Sequence, residues 1–130
     1  LATGKFELII DDTVSKQLID KLVLCSGKIY YELDAKRKNE KINNIAIVRV
    51  EQLYPLDKVF LIKLIEKYNA NKLIWVQEEP ENMGAWSFIL SELRAYNIDV
   101  IARSPSAATA TGSSKTSAIE QKEIIDKVFK

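Results

Sequence analysis

Histidine is absent from all 130 residues, so no Ser-His-Asp or Cys-His machinery and no His-ligated metal can be built from this chain. The single cysteine, Cys25, excludes an internal disulfide and a paired-cysteine redox or zinc motif. Charge of one sign is missing too. The 19 basic and 18 acidic side chains leave a net +1, which gives no general field for drawing in nucleic acid or an anionic membrane, so any phosphate binding has to be local. The longest apolar runs, such as Phe60-Leu61-Ile62, fall far short of the roughly 20 residues a membrane span needs. No charged-then-apolar leader opens the chain, and a start at Leu1 predicts a fragment of a longer polypeptide. Together these absences predict a soluble intracellular domain, poorly equipped for acid–base catalysis near neutral pH by itself.

What is present suits one domain over residues 1–130, 47% apolar and 28% charged. At this length about two-thirds of the unfolded surface is buried on folding, enough for a core without disulfide or metal. Five β-rich runs, Phe6–Ile10, Leu22–Cys25, Ile45–Val50, Leu73–Val76 and Ile98–Ala102, alternate with segments of helical period. The runs at 45–50 and 73–76 are almost continuously apolar, as strands buried on both faces of a parallel sheet are. Helical stripes follow from Ile29, Tyr30 and Leu33; from Leu61, Leu64, Ile65 and Tyr68; from Trp86, Ile89, Leu90 and Leu93; and from Ile124, Ile125, Val128 and Phe129. Pro55 is placed to open a helical turn, with Asp57 adding a favourable charge. Ser117 with Glu120 reads as a capping box for the last helix, and Asn69–Asn71 breaks an earlier one. KRKNEKINN (36–44) and SPSAATATGSSKT (104–116) read as loops. Strands alternating with helices predict a three-layer α/β/α sandwich.

Four segments could carry chemistry. Cys25-Ser26-Gly27-Lys28 ends a strand and opens a helix, where a glycine and a helix start can receive an anion; a plain structural turn is the simpler reading. Gln77-Glu78-Glu79-Pro80-Glu81-Asn82-Met83-Gly84-Ala85-Trp86 packs three carboxylates, an amide, Met83 and Trp86 into ten residues. It admits three readings: a rigid loop with Trp86 in the core, a protein contact anchored on Met83 and Trp86, or a Glu78/Glu79 acid–base pair. Arg103, followed by Ser106, Thr109, Thr111, Gly112 and Ser113, could cradle a phosphate or simply pair with an acid. Arg49 and Glu51 share one strand face and are placed to pair, while Tyr54 before Pro55 forms a defined corner.

Taken in order, VLCSGKIYYEL, RVEQLYPL, QEEPENMGAW and an R…ATGS…EQ ending resemble the C-terminal domain of the 2-oxoglutarate dehydrogenase E1 component, from about Phe6 to Phe129. The RVEQLYP and EEPxNMGAW blocks are specific to that family, whereas transketolase-like C-terminal domains share the glycine turn. The resemblance implies a five-stranded, mostly parallel sheet with one antiparallel strand. It also implies a homodimeric enzyme using thiamine diphosphate and Mg²⁺, which decarboxylates 2-oxoglutarate and passes a succinyl group to the lipoyl arm of E2, in a complex that includes E3. The cofactor-binding domains of that enzyme lie upstream, leaving no catalytic, cofactor or metal residue in this chain. The implied compartment is the bacterial cytoplasm, or the mitochondrial matrix in a eukaryote.

Residue by residue, the resemblance assigns Glu78, Glu79, Asn82, Met83, Gly84, Ala85 and Trp86, with Arg49, Glu51, Gln52 and Tyr54, to subunit and interdomain packing. Arg103, Ser106, Gly112 and Ser113 are the candidate regulatory site for AMP or acetyl-CoA, and Glu120 and Gln121 match the end of that block. The chain departs from the pattern at Ser106–Thr111, and at Ser117, where many members carry histidine. A stand-alone nucleotide-binding or scaffold module of similar fold is the alternative; an apolar patch exposed around Met83 and Trp86 would argue against it.

Overall fold

The structure, a computed structural model, describes residues 9–12, 18–103 and 114–130, with side chains from residue 118 onward in the last stretch. In chain order the described elements are β1 (Ile9–Ile10), β2 (Lys21–Cys25), α1 (Ile29–Asn39), β3 (Ile45–Val50), α2 (Lys58–Tyr68), β4 (Lys72–Pro80), α3 (Trp86–Glu92), β5 (Ile98–Arg103) and α4 (Ser114–Val128). They build a 5-stranded sheet in the order β1-β3-β2-β4-β5. β1 runs antiparallel to β3, and every other neighbouring pair is parallel.

The strand alternation sorts the core into two halves. Leu22 and Leu24 of β2 face Leu61, Leu64 and Ile65 of α2 and Ile89 of α3. Val23 and Cys25 face Ile29 and Leu33 of α1 and Ile124, Ile125 and Val128 of α4. Helices therefore cover both faces, giving the expected three layers, and β2 is buried throughout. Each large aliphatic chain closed into these halves contributes about 1.5–3 kcal/mol.

Polar groups set the element ends. The Asp57 carboxylate accepts from the Phe60 N–H at 3.1 Å and starts α2; Asn69, left-handed at φ 45°, stops it. Lys21 is buried, and its ammonium donates to the carbonyls of Val128 at 2.9 Å and Lys130 at 2.7 Å, closing the C-terminal end of α4.

Several expectations need correction. Pro55 does not open a helical turn: it follows a cis Tyr54–Pro55 bond, and α2 starts three residues later because Asp57 supplies the cap. The Ser117–Glu120 box is not a cap, since α4 already begins at Ser114 and Glu120 instead accepts from Arg103. Residues 36–39 of KRKNEKINN form the last turn of α1, where Arg37 is buried against Asp12 and Asp34 rather than solvated. Residues 114–116 are likewise helical. β4 runs on through the polar 77–80, paired again at Pro80↔Arg103 after an irregularity. Leu90, read as part of a buried stripe, is exposed. Of the first expected strand, residues 6–8 lie outside the described residues.

The chain leaves β2 for β3 on one side, then crosses back to β4 on the other. The helix after β2 covers one face and the helix after β4 the opposite face. A crevice must open between the carboxyl ends of two strands so connected.

Candidate functional site

That crevice is present, about 470 Å³, lined by Ser26 and Gly27 after β2, Leu53 and Tyr54 after β3, and Gln77–Glu79 with Gly84 and Ala85 around the β4–α3 turn. Three segments singled out in the sequence thus meet at one edge of the sheet. Gly27 sits at φ +80° with open space where a Cβ would be, so the turn needs glycine for its backbone conformation rather than for room.

Gln77 builds the β4–α3 turn. Its carboxamide is buried; Oε1 accepts from Trp75 Nε1 at 2.9 Å and from the Trp86 backbone N–H at 3.1 Å. Its Nε2 donates to the carbonyls of Glu79 at 3.1 Å, Pro80 at 2.7 Å and Met83 at 2.8 Å. One side chain thereby satisfies a strand end, a turn and the start of a helix, all groups that would otherwise be orphaned on leaving water. Sequence reading counted this amide without giving it a role. The available signal was its spacing: Trp75 and Gln77 share a strand face by period two.

The turn presents Met83 outward, 54% exposed, and Tyr54, 66% exposed with its ring 4.6 Å from Phe88. Trp86 is half-buried and packs on the core; Asn82 is exposed. The loop reading therefore describes this segment. The acid–base reading does not. Glu78 accepts from Gln121 Nε2 of α4 at 3.1 Å, whereas Glu79 is exposed and turns to Gly84, so the two carboxylates diverge.

Arg103 pairs with an acid, as one reading expected: it donates to Glu120 at 2.7 Å and to Gln121 Oε1 at 3.0 Å. Gln121 passes the network on to Glu78 and to Glu32, each at 3.1 Å, so β4, β5, α1 and α4 are joined above the sheet. Ser106, Gly112 and Ser113 lie outside the described residues. Arg49 and Glu51 stand 3.7 Å apart, an ion pair too long for a hydrogen bond. The Arg49 guanidinium lies over Tyr30, 4.6 Å from the ring centroid, and donates to the Tyr31 hydroxyl at 3.3 Å. Gln52 donates to the Pro55 carbonyl at 3.2 Å. Beneath them, burial and the Glu51 charge push the Cys25 thiol up to about 12, against a smaller opposing pull from Arg49.

Among the described residues, no group of three or more His, Cys, Asp or Glu side chains is placed to hold a metal ion. With Glu78 and Glu79 diverging, these residues do not fit a Mg²⁺-diphosphate site. Among the same residues, no helix is long and apolar enough to cross a membrane.

The 2-oxoglutarate dehydrogenase C-terminal family model matches residues 1–129. The chain is 42% identical over 126 residues to a multifunctional 2-oxoglutarate metabolism enzyme of Mycobacterium sp. (strain JLS), covering 92% of this chain and 10% of that protein. It is 42% identical over 121 residues to the 2-oxoglutarate dehydrogenase E1 component of Rickettsia typhi, covering 86% and 13%. It is 43% identical over 137 aligned positions to the mitochondrial 2-oxoglutarate dehydrogenase of Caenorhabditis briggsae, covering 97% and 13%. The chain thus spans only 10–13% of the length of these relatives. Among solved structures, a split-gene transketolase described as an inactive beta4 tetramer aligns with a TM-score of 0.60 at 18% identity, over 95% of this chain and 43% of that one. That likeness concerns the fold alone.

Proposed function

Because the chain belongs to the 2-oxoglutarate dehydrogenase C-terminal family, we propose that it is the C-terminal domain of a 2-oxoglutarate dehydrogenase E1 component and serves packing rather than chemistry. The family match across residues 1–129 carries this reading. In the whole enzyme, thiamine diphosphate and Mg²⁺ are held by upstream domains, and the succinyl group formed from 2-oxoglutarate goes to the lipoyl arm of E2, with E3 completing the complex. The compartment is the cytoplasm in a bacterium or the mitochondrial matrix in a eukaryote. The chain's own contribution is the rigid turn built on Gln77, with Met83 and Tyr54 outermost, as a contact for upstream domains or the second E1 subunit.

Two measurements test this. The isolated chain, given thiamine diphosphate, Mg²⁺ and 2-oxoglutarate, is expected to release no CO₂ above a protein-free blank; turnover would overturn the reading. In the full-length enzyme, Met83→Asp is expected to loosen the assembled dimer in sedimentation without lowering the stability of the isolated domain. An unchanged dimer would count against packing at this turn.

The finer reading is regulatory: Arg103 receives the phosphate of AMP or acetyl-CoA. Its position where β5 ends, directly before the hydroxyl-rich 104–113, supports that role. Glu120 already holds the guanidinium, so an entering phosphate has to displace a carboxylate. Arg103→Ala in the full-length enzyme is expected to abolish activation by these ligands, and activation that survives the change rules the site out.

A further inference from the structure

The crevice at the carboxyl edge of the sheet holds charge of one sign. Of the residues that line its 470 Å³, only Glu78 and Glu79 are charged. Neither has a cation against it among the described residues: Glu78 accepts from the neutral Gln121 amide, and Glu79 is exposed without an ion-pair partner. The sequence is as one-sided as the cavity. No lysine or arginine stands between Lys72 and Arg94, whereas Glu78, Glu79, Glu81 and Glu92 all fall there. Cations on the same edge are committed elsewhere, Arg103 to Glu120 and Arg49 to Glu51 and the Tyr30 ring. Lys28 is exposed and lines no part of the crevice. Tyr54, which does line it, adds an aromatic ring beside the two carboxylates, a setting that suits a cationic side chain.

The path of the chain says where such a side chain comes from. β1 runs antiparallel to β3, with Ile9 opposite Val50, the last residue of β3. The polypeptide therefore enters the sheet from its carboxyl edge, where the crevice opens. β1 and β2 are two strand spacings apart, about 10 Å, so the entry lies close beside it. The other end of the chain is remote: Lys21, which starts β2 at the opposite edge, holds the carbonyls of Val128 and Lys130. A segment tethered through β1 is held near the crevice at high effective concentration, an advantage that a second subunit lacks.

We propose that this crevice receives a lysine or arginine side chain from the upstream part of the same polypeptide, which rests on the reading of the chain as the C-terminal domain of a longer E1. The acidic wall and the entry edge together lock the domain onto what precedes it. Met83, at the outer tip of the turn, stays available for the second subunit.

The test is made in the full-length enzyme by hydrogen exchange and sedimentation velocity. Glu79→Lys reverses the charge in the crevice; Glu92→Lys makes the same change on α3, at a residue that does not line it. Glu79→Lys is expected to speed exchange by roughly tenfold or more in the 77–86 peptide and in one upstream peptide that carries lysine or arginine. The dimer should keep its mass and its dilution midpoint. Glu92→Lys is expected to change none of these. The proposal is overturned if no upstream peptide responds, or if Glu92→Lys acts equally. A dimer weakened by Glu79→Lys overturns it too, because the cation would then belong to the second subunit. If Glu79→Lys does not fold, the parent decides: raising NaCl from 0.05 to 0.5 M should speed the same two peptides about threefold or more, and exchange independent of salt overturns the proposal. Met83→Asp, read by dimer mass, tests packing at the tip separately. A dimer loosened there while Glu79→Lys changes nothing leaves the packing reading standing and removes the cation.

Discussion

Gly84 stands so close to Gln77 that a Cβ on the glycine would lie 3.2 Å from the Gln77 Oε1, and equally close to Glu79 Oε1. Its φ of +69° is also one that side chains rarely adopt. Strain and crowding therefore act together in Gly84→Ala, and the crowded atom belongs to the carboxamide that holds the turn. A loss of about 1–3 kcal/mol is expected. Urea unfolding of the domain should show a lower midpoint with an unchanged slope. A midpoint equal to the parent would mean that the turn relaxes freely.

Gln77→Glu separates accepting from donating at the same position. A glutamate can still accept from Trp75 Nε1 and the Trp86 N–H, but once ionised it has no proton for the carbonyls of Glu79, Pro80 and Met83. Burying that charge among carbonyl oxygens costs several kcal/mol. The neutral acid can donate once, so the variant is expected to recover stability as pH falls from 8 to 5, over which the parent changes little. Parallel stability curves for parent and variant would refute the donor role.

The sequence made the buried strands plain because Ile45–Val50 and Leu73–Val76 are almost unbroken apolar runs, and few other elements look like that. The second half of β4 was hidden for the opposite reason. Gln77-Glu78-Glu79-Pro80 is polar, and only the folded chain shows that the amide is buried while Pro80 still pairs with Arg103. Arg37 was hidden by its company, since a run of charges reads as a wet surface; its partner Asp12 lies 25 residues away, which no local pattern reports. Capping was misplaced wherever two candidates competed. Pro55 and Asp57 both suit the start of α2, and the Asp57 bond to Phe60 decides it. Arg103 pairs with an acid, the simpler of its two readings, because α4 brings Glu120 and Gln121 beside it.

Acid should loosen the domain through two aspartates. Burial opposes ionisation of Asp11, but hydrogen bonds from Lys67 and Tyr68 outweigh it and hold the carboxyl below its usual 3.8. Asp34 behaves alike: burial raises it, and bonds from Lys38 and Arg37 bring it below 3.8. A carboxyl whose folded value lies below its unfolded one stabilises fully above the unfolded value, and that contribution disappears as pH falls through the folded one. Stability measured by urea titration is therefore expected to hold from pH 7 to 5 and to drop below about 3.8. Asp34→Asn should lower the plateau and flatten part of the drop. A variant with the parent's full acid slope would show that Asp34 takes no part.

Cys25 is the only thiol, and it is fully buried beneath Glu51 and Arg49. Burial, then the Glu51 carboxylate, push its pKa up from 9.0 to about 12, with Arg49 pulling the other way. The thiolate is the form that reacts, so at pH 8 roughly one molecule in ten thousand carries it even before access is considered. Maleimide at pH 8 is expected to leave the folded domain unlabelled over times that fully label a small thiol. In denaturing urea the same chain should take up one equivalent, because the unfolded thiol returns to its ordinary range. The labelling rate at intermediate urea then reports opening of the β2 layer, and it should rise in Gly84→Ala only if that variant loosens the whole sheet rather than the turn. Prompt labelling of the folded parent would show that the layer over Cys25 opens without unfolding.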